Sequence, residues 1–314
     1  KVFAPEHGFR GNADAGEVVK DGMDTKTNLP IVSLYGKNKK PSEEQLEGLD
    51  IVLFDIQDVG ARFYTYISSL HYVMEACAEK GIPVIILDRP NPNGHYIDGP
   101  TLEMTNKSFV GMHPIPVVHG MTIGEYAKMI NGEKWLNKGT QCDLKIIPVT
   151  HYNHKLSYSL PIKPSPNLPN DQAINLYPSL CFFEGTNVSA GRGSETQFQI
   201  FGSPFLSKDQ YTFEFTPKPN HGSKYPKHQN KLCYGKDLTK TKTIDYLNLK
   251  WLIDAYHNTA MTSEFFNSFF TKLAGTEQLQ QQIESGLTAK EIKATWENGL
   301  EAFKKVRAQY LIYP

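Results

Sequence analysis

The chain has 314 residues and carries 33 Lys and Arg against 33 Asp and Glu, so its formal net charge at pH 7 is zero. This balance leaves no excess of positive charge to hold a polyanion or an anionic membrane surface, and composition therefore disfavours nucleic-acid binding. The length exceeds that of a usual single domain, which predicts two packed lobes with a cleft between them.

The first half of the chain alternates apolar runs with a helical pattern. Residues 51–55 and 83–88 are apolar runs that each end in Asp, as buried strands do when they lead to a site. Between them, residues 66–80 place apolar side chains at helical spacing, and Gly81 follows as a stop signal. This strand-helix-strand unit predicts an α/β fold with a Rossmann-like, mostly parallel sheet flanked by helices.

A second unit of the same kind follows. Thr122 begins a predicted helix with capping-box spacing, and residues 142–148 have the pattern of a further strand. Residues 161–178 are rich in Pro and Asn, which predicts an extended crossing between lobes. We therefore place a Rossmann-like catalytic lobe at residues 1–162 and a smaller α+β C-terminal domain that closes the cleft at residues 163–314.

The second half of the chain is predicted to be largely helical. Polar residues 217–237 form a predicted surface excursion without regular structure. Segments with apolar residues at intervals of three and four predict helices at residues 247–257, 263–273, 277–285 and 288–309. The cysteines are far apart and form no Cys-x-x-Cys pair, so we interpret them as unpaired structural thiols: Cys77, Cys142, Cys181 and Cys233.

Polar residues that follow an apolar run are candidate site residues, because ligands bind beyond the carboxyl ends of parallel strands. Residues 5–11, Pro-Glu-His-Gly-Phe-Arg-Gly, are the first such segment. Glu6 lies beside His7 on a Gly-flanked loop, where partial desolvation can make its carboxyl group a proton donor. The structural alternative is a Glu6 that caps a helix or pairs with Arg10.

Residues 55–64 form a second candidate segment. Glycoside hydrolysis ordinarily uses two carboxyl groups, and Asp55 or Asp58 can supply the second one. The alternative for Asp58 is a cap on the helix that follows. Arg62 or Arg192 can hold an anionic substrate group through two parallel hydrogen bonds, whereas the alternative for either is an internal salt bridge.

Residues 88–92 and 119–122 are two further candidate segments of this kind. Residues 184–195 form the last one, polar and Gly-rich, after apolar residues 180–183 that we interpret as a strand. Its Gly-Arg-Gly lacks the spacing of a phosphate-binding loop, so nicotinamide and ATP binding lose support. Its serines lack the G-x-S-x-G elbow of serine hydrolases. The chain has no His-Glu-x-x-His motif, and we expect neither a metal nor another cofactor.

Six segments occur in an order that is typical of one family. They are Pro-Glu-His-Gly-Phe-Arg-Gly (5–11), Asp-Ile-Gln-Asp-Val-Gly-Ala-Arg-Phe-Tyr-Thr-Tyr (55–66), Leu-Asp-Arg-Pro-Asn-Pro (87–92), His-Gly-Met-Thr-Ile-Gly-Glu (119–125), Pro-Ser-Pro-Asn (164–167) and Glu-Gly-Thr-Asn-Val-Ser-Ala-Gly-Arg-Gly (184–193). Together they resemble the NamZ exo-β-N-acetylmuramidases, glycoside hydrolase family 171, and the similarity extends to residues 307–313. The resemblance implies a further strand and helix before residue 5, which we expect to be missing here.

The resemblance implies an exo-acting glycoside hydrolase that releases terminal N-acetylmuramic acid from the non-reducing ends of peptidoglycan fragments, with its site between the lobes. The family's Glu in the Pro-Glu-His-Gly motif falls on Glu6. Asp58, Asp55 and Glu184 match motifs that can supply its partner, and Tyr64 can assist or act as a nucleophile. The residues expected to bind substrate are His7, Arg10, Asp55, Gln57, Arg62, Arg89, Asn91, His119, Asn167, Asn187, Ser189 and Arg192.

Two other functions stay open. One is a sugar-binding protein that holds a muropeptide without cleaving it, and the other is an amidase or esterase with His7 or His119 as its base. Several carboxylates at strand ends and the lack of an acyl-transfer motif weigh against both. A glycosidase of wall fragments works outside the cytoplasmic membrane, so we expect a periplasmic or secreted bacterial protein of cell-wall recycling, exported by a signal or lipoprotein leader that this sequence does not contain.

Overall fold

The computed structural model describes residues 1–11, 13–14 and 16–314. Its first sheet is formed by β1 (Val2–Ala4), β2 (Gly22–Met23) and β3 (Pro30–Ser33), in the order β1-β3-β2. Strands β1 and β3 are parallel, and β2 runs antiparallel to β3. The carboxyl ends of β1 and β3 therefore lie at one edge of the sheet, beside the loops that follow them.

The second sheet is wholly parallel and confirms the predicted α/β fold class. Its strands run in the order β4-β5-β6, with Val52 opposite Val84 and Val84 opposite Leu144. The elements of this part of the chain are α1 (Glu43–Leu46), β4 (Val52–Phe54), α2 (Tyr66–Lys80), β5 (Val84–Leu87), α3 (Ile123–Gly132) and β6 (Leu144–Ile147), with short 3₁₀ turns at Met104–Asn106 and Asn137–Gly139. Each connection between consecutive strands contains a helix, α2 between β4 and β5 and α3 between β5 and β6.

The predicted start and stop signals of two helices are confirmed. Helix α2 ends at Gly81, whose φ of 67° is left-handed and favours glycine. Helix α3 begins at Thr122, whose side chain accepts from the Glu125 amide while the Glu125 side chain accepts from the Thr122 amide. Both ends were fixed by local chemistry that the sequence carries.

The C-terminal domain combines an antiparallel sheet with helices. Strands β7 and β8 both pair with the central strand β9. The elements are α4 (Asp171–Leu180), a 3₁₀ turn (Cys181–Gly185), β7 (Ile200–Ser203), β8 (Phe213–Phe215), β9 (Cys233–Asp237), α5 (Lys250–His257), a 3₁₀ turn (Thr262–Glu264), α6 (Phe270–Ala274), α7 (Gln278–Glu284), α8 (Ala289–Ala294) and α9 (Glu297–Arg307).

The crossing predicted over residues 161–178 is wrong in its second half. Asn170 caps α4, and the helix continues through Pro178. Proline has no N–H for the carbonyl four residues before it, but Asn93 Nδ2 donates to that carbonyl, on Ile174, at 3.0 Å. A tertiary contact therefore allows a helix where Pro suggested an extended chain.

Three further assignments are also corrected. Residues 180–183 are helical rather than a strand, because periodicity does not distinguish a short buried strand from a buried helix. The predicted helix at residues 263–273 begins only at Phe270, and the one at 288–309 is divided into α8 and α9. Residues 217–237 are not only a surface excursion, since they end in β9.

Two hydrophobic cores hold the molecule together, and each includes residues from the other half of the chain. Val59, Phe63 and Tyr64 pack into the core of the C-terminal domain, among α4 and α6. Phe303 of α9 packs into the core around α2 and α3. The cysteine side chains are buried and unpaired. Among the described residues, no helix has the length and apolar character needed to cross a membrane.

Candidate active site

Glu6 lies on the turn that follows β1. The next two residues, His7 and Gly8, have φ values of 69° and 73°, and the Gly8 amide donates to the Pro5 carbonyl at 2.9 Å. His7 is buried, and its Nδ1 lies 2.8 Å from the Ala13 carbonyl oxygen. This tight reversal directs the Glu6 carboxylate toward the beginning of α2.

The Glu6 carboxylate accepts hydrogen bonds from three neutral donors. Thr65 Oγ1 donates to Oε2 at 2.6 Å, while Tyr35 OH and the Gly16 amide donate to Oε1 at 2.9 and 3.0 Å. Arg10 is not its partner, because the guanidinium instead binds both carboxylate oxygens of Asp24, at 3.0 and 2.6 Å. Glu6 is therefore anchored by uncharged groups that converge from three segments.

Tyrosine rings connect Glu6 to the C-terminal domain. Tyr66 OH donates to the Glu6 carbonyl at 3.2 Å. The Tyr64 ring lies edge-on to the rings of Tyr66 and Tyr177, with ring centres 5.0 and 5.9 Å apart. The ring centres of Tyr177 and Phe198 are 4.9 Å apart. We call Tyr64, Tyr66, Tyr177 and Phe198 the aromatic row.

Tyr64 is held as a neutral phenol. Burial raises the pKa of Tyr64 well above its usual value, and the charges of Asp58 and Glu6 act in the same direction. Its hydroxyl donates to the Pro164 carbonyl at 2.7 Å. A nucleophilic phenolate is disfavoured by these surroundings, so they favour an assisting role.

Asp58 and His119 form a buried pair behind the aromatic row. Asp58 Oδ2 accepts from the Gly60 amide at 2.7 Å and lies 3.7 Å from His119 Nε2. Asp58 does not cap α2, whose N-cap residue is Thr65. Oδ1 of Asp58 and Nε2 of His119 are buried and have no hydrogen-bond partner among the described residues.

Glu184 lies on the 3₁₀ turn after α4 and belongs to a charged cluster with Arg192 and Lys227. Arg192 Nε donates to Glu184 Oε1 at 3.0 Å, and the guanidinium lies 5.1 Å from the Phe198 ring centre. Burial raises the pKa of Glu184, but the charges of Arg192 and Lys227 outweigh it, so the pKa is below its usual value. The Glu184 and Arg192 side chains are still 27% and 21% exposed.

The glycines on either side of Arg192 explain its motif. Gly191 and Gly193 have φ values of 81° and 80°, where side chains are disfavoured. A Cβ on Gly193 would lie 2.6 Å from Pro226, and one on Gly191 would lie 2.7 Å from Ile200. Gly-Arg-Gly therefore packs the Arg192 turn tightly against its neighbours, without any phosphate-binding spacing.

Arg62 is a structural residue in this geometry. The side chain is fully buried, and its guanidinium donates to the carbonyls of Pro100, Ile115, Leu273 and Ala274 at 2.6 to 2.9 Å. Burial lowers the pKa of Arg62 to about 9. Full burial leaves Arg62 no exposed surface for the predicted substrate contact, and it forms no salt bridge with any described residue. It joins the loop after β4 to the end of α6.

Several other predicted binding residues are engaged in bonds within the protein. Gln57 Nε2 donates to the Asp58 and Pro90 carbonyls, and Asn91 Nδ2 to the Met121 carbonyl. Asn167 Nδ2 donates to the Gly222 carbonyl, and Ser189 Oγ accepts from the Gly191 amide. These contacts show how the loops are positioned and leave substrate contact as a prediction.

The remaining predicted residues differ in their surroundings. Asp55 and Arg89 form a surface ion pair at 2.7 Å, with side chains 46% and 40% exposed. The amide nitrogen and oxygen of the Asn187 side chain are buried without a hydrogen-bond partner among the described residues. Within the same residues, no His, Cys, Asp and Glu side chains form a group of three or more that could hold a metal ion.

Sequence reasoning missed several residues of this site, among them Tyr66 and Phe198 of the aromatic row. Tyr35 follows β3 at the same sheet edge as Glu6, so recognising that strand would have found it. Thr65 lies inside a motif that had already been singled out. Tyr177 and Lys227 gave no signal, because their partners are distant in sequence and Lys227 lies in a polar stretch.

Comparisons with known proteins match this chain in two consecutive parts. Residues 1–172 match the family model for the N-terminal part of the exo-β-N-acetylmuramidase NamZ, and residues 175–313 match the model for its C-terminal part. A curated relative, the peptidoglycan β-N-acetylmuramidase NamZ of Bacillus subtilis, is 41% identical over 99% of this chain and 79% of its own length.

Two solved structures are similar to this chain along nearly its whole length. A crystal structure of a DUF1343 family protein from Bacteroides fragilis is 50% identical, with a TM-score of 0.90 over 99% of this chain and 86% of that chain. A second DUF1343 family protein from Bacteroides fragilis is 26% identical, with a TM-score of 0.82 over 99% and 85% of the two chains. With two family models that together match almost every residue, the chain belongs to the NamZ exo-β-N-acetylmuramidase family.

Proposed function

We propose that this chain is an exo-acting glycoside hydrolase that releases terminal N-acetylmuramic acid from the non-reducing ends of peptidoglycan fragments. The observation that supports this most is a pair of partly exposed carboxylates in contrasting surroundings, Glu6 and Glu184, at the two ends of the aromatic row. The charges of both Glu6 and Arg192 act on the pKa of the Tyr177 phenol, which burial raises. Tyr177 is therefore near both groups.

Glu6 is suited to the role of proton donor. Two of its three partners are hydroxyl groups, on Tyr35 and Thr65, and a hydroxyl can accept a proton as well as donate one. The same contacts can therefore hold the protonated acid and the carboxylate that remains after proton transfer. A general acid needs this tolerance, because it cycles between the two forms.

Glu184 is suited to the complementary role. Arg192 and Lys227 hold the pKa of Glu184 low, so this carboxylate stays ionised and can stabilise positive charge that develops on the sugar ring. Asp58 is the weaker candidate for this role, because its side chain is only 5% exposed. We assign Asp58 and His119 to positioning the loop that carries the aromatic row.

We place this activity outside the cytoplasmic membrane, in the periplasm or after secretion, and in cell-wall recycling. The support is the location of the substrate, since peptidoglycan fragments arise in the wall. Localisation of a tagged protein in bacterial cell fractions tests this assignment. Recovery only in the cytoplasmic fraction would contradict it.

The direct test of the reaction compares chromogenic substrates. We expect release of the reporter from a β-N-acetylmuraminide and little from the matching β-N-acetylglucosaminide, with no turnover of acyl-linked reporters. Cleavage of acyl-linked reporters alone would favour an amidase or esterase. Tight binding of muropeptides by a folded protein that cleaves no glycoside would favour the sugar-binding function.

A further inference from the structure

The cluster of Glu184, Arg192 and Lys227 includes a lysine that is held as an ammonium ion. Lys227 Nζ donates to the carbonyls of Phe183 at 2.9 Å, Thr186 at 2.5 Å and Val188 at 3.0 Å. Three acceptors require three N–H donors, which only the protonated amine provides. Lys227 therefore contributes a positive charge to the cluster, even though burial lowers its pKa.

This cluster has one positive charge that the protein does not balance. Glu184 is ionised, but it faces two cations. Within the described residues, no other carboxylate lies within 4.0 Å of Arg192, and none lies within that distance of Lys227. A partly desolvated cation without a counter-ion is unfavourable, so the site is complementary to an added anion.

Arg192 is the member of the cluster that can reach a ligand. Its Nε is bound to Glu184, but neither terminal guanidinium nitrogen forms a hydrogen bond with a described residue. Its side chain is 21% exposed. The other predicted binding arginines are occupied: Arg62 by backbone carbonyls, Arg10 by Asp24 and Arg89 by Asp55.

We propose that Arg192, with the charge of Lys227 behind it, binds the lactyl carboxylate of the N-acetylmuramic acid ring. This inference rests on the proposed function, because it names the part of that substrate which the cluster recognises. The lactyl carboxylate is the group that N-acetylglucosamine lacks. A planar guanidinium can bind it through parallel hydrogen bonds, so Arg192 determines specificity for muramic acid.

The test compares a chromogenic β-N-acetylmuraminide with the same compound whose lactyl carboxylate is converted to a neutral methylamide. For the wild type, we expect kcat/KM to be about 100-fold higher on the acid than on the amide. Arg192→Gln should lower kcat/KM on the acid by about 100-fold more than on the amide, because loss of the charge beside Glu184 affects both substrates and loss of the lactyl contact affects only the acid. Arg192→Lys keeps the charge but not the planar guanidinium, so its preference for the acid should lie between those of the wild type and Arg192→Gln.

A matched control removes one positive charge elsewhere. Lys250→Gln breaks an exposed ion pair with Asp254 on α5 and should retain the preference for the acid. Binding of free N-acetylmuramic acid to Glu6→Gln and to Glu6→Gln with Arg192→Lys gives a readout that needs no turnover. We expect the additional lysine substitution to weaken this binding by about tenfold.

Two failures can be distinguished. If folded Arg192→Gln or Arg192→Lys lowers kcat/KM equally on acid and amide, Arg192 does not bind the lactyl group, although the hydrolase assignment stands. If Arg192→Gln does not fold, the binding measurement decides. Equal affinity of Glu6→Gln and of Glu6→Gln with Arg192→Lys for N-acetylmuramic acid would also show that Arg192 does not bind the lactyl group. A wild type that cleaves neither muraminide would instead overturn the proposed function.

Discussion

The two carboxylates of the candidate site occupy opposite chemical surroundings. Glu6, on the loop after β1, accepts only from neutral hydroxyl and amide groups. Glu184, in the C-terminal domain, faces two cations that lower its pKa. Two groups of the same type can therefore serve as acid and as anion, because each part of the chain supplies a different environment.

Replacing Glu6 should cause the largest loss of activity, and it tests the role of Glu6 as the acid. Glu6→Gln keeps the shape and most hydrogen bonds but cannot donate the catalytic proton. We expect kcat on a muraminide to fall by about 10²- to 10⁴-fold, with substrate binding retained. Glu301→Gln, which neutralises an exposed carboxylate on α9, is the control, and a Glu6→Gln variant within tenfold of it would exclude Glu6 as the acid.

Arg62 provides a structural counterpart to Arg192. Arg62→Met leaves several buried carbonyls without donors, so the free energy of unfolding should fall by at least about 3 kcal/mol. Arg192 is partly exposed and bound to one carboxylate, so Arg192→Gln should lower the free energy of unfolding by only about 1 kcal/mol. Chemical denaturation of both variants measures this difference, and equal losses would contradict the division into a structural and a substrate-binding arginine.

Glu184→Gln tests the other half of the contrast against Asp58→Asn. Neutralising Glu184 removes the anion opposite Glu6, and kcat should fall by about 100-fold. Asp58→Asn should cause a smaller loss, because Asp58 is buried behind the aromatic row. Steady-state kinetics on the same muraminide gives both values. A larger loss for Asp58→Asn would make Asp58 the second carboxyl group of the reaction.

Mild acid should lower the free energy of unfolding through the histidines beside α2, by less than the Arg62 substitution does. Burial lowers the pKa of His71 from 6.5 to about 4, although Glu75 raises it, and Lys107 and Lys40 lower it further. Burial lowers the pKa of neighbouring His113 in the same way. Because the unfolded chain binds protons first, stability is retained above pH 6.5 and falls as pH decreases toward 4.

For one histidine, this loss is at most about 1.4 kcal/mol per pH unit. Thermal unfolding between pH 7.5 and 5.5 measures it. The wild type should lose stability more steeply than His71→Gln, since the variant has one fewer group to protonate. Identical slopes would show that His71 does not contribute to the pH dependence.

Patterns of neighbouring residues predicted the helix bounds and caps of the first half of the chain. Contacts between residues far apart in the sequence did not follow from such patterns. The bounds of α2 and the capping box of α3 depend on neighbouring residues, so the sequence was sufficient. Glu6 was found because it follows a strand. The different environments of Arg62 and Arg192 depend on partners such as Leu273, which no local pattern reveals.

Two defined disaccharides that differ only in the order of their sugars test the proposed exo-muramidase activity and the role of Glu6 together. The wild type should release N-acetylmuramic acid from the disaccharide that has this sugar at its non-reducing end. It should leave intact the disaccharide that has N-acetylglucosamine there. Chromatography with mass detection resolves the products, and Glu6→Gln should release at least about 100-fold less in the same time. Cleavage of the second disaccharide would contradict the specificity for N-acetylmuramic acid, and undiminished release by folded Glu6→Gln would contradict the role of Glu6 as the acid.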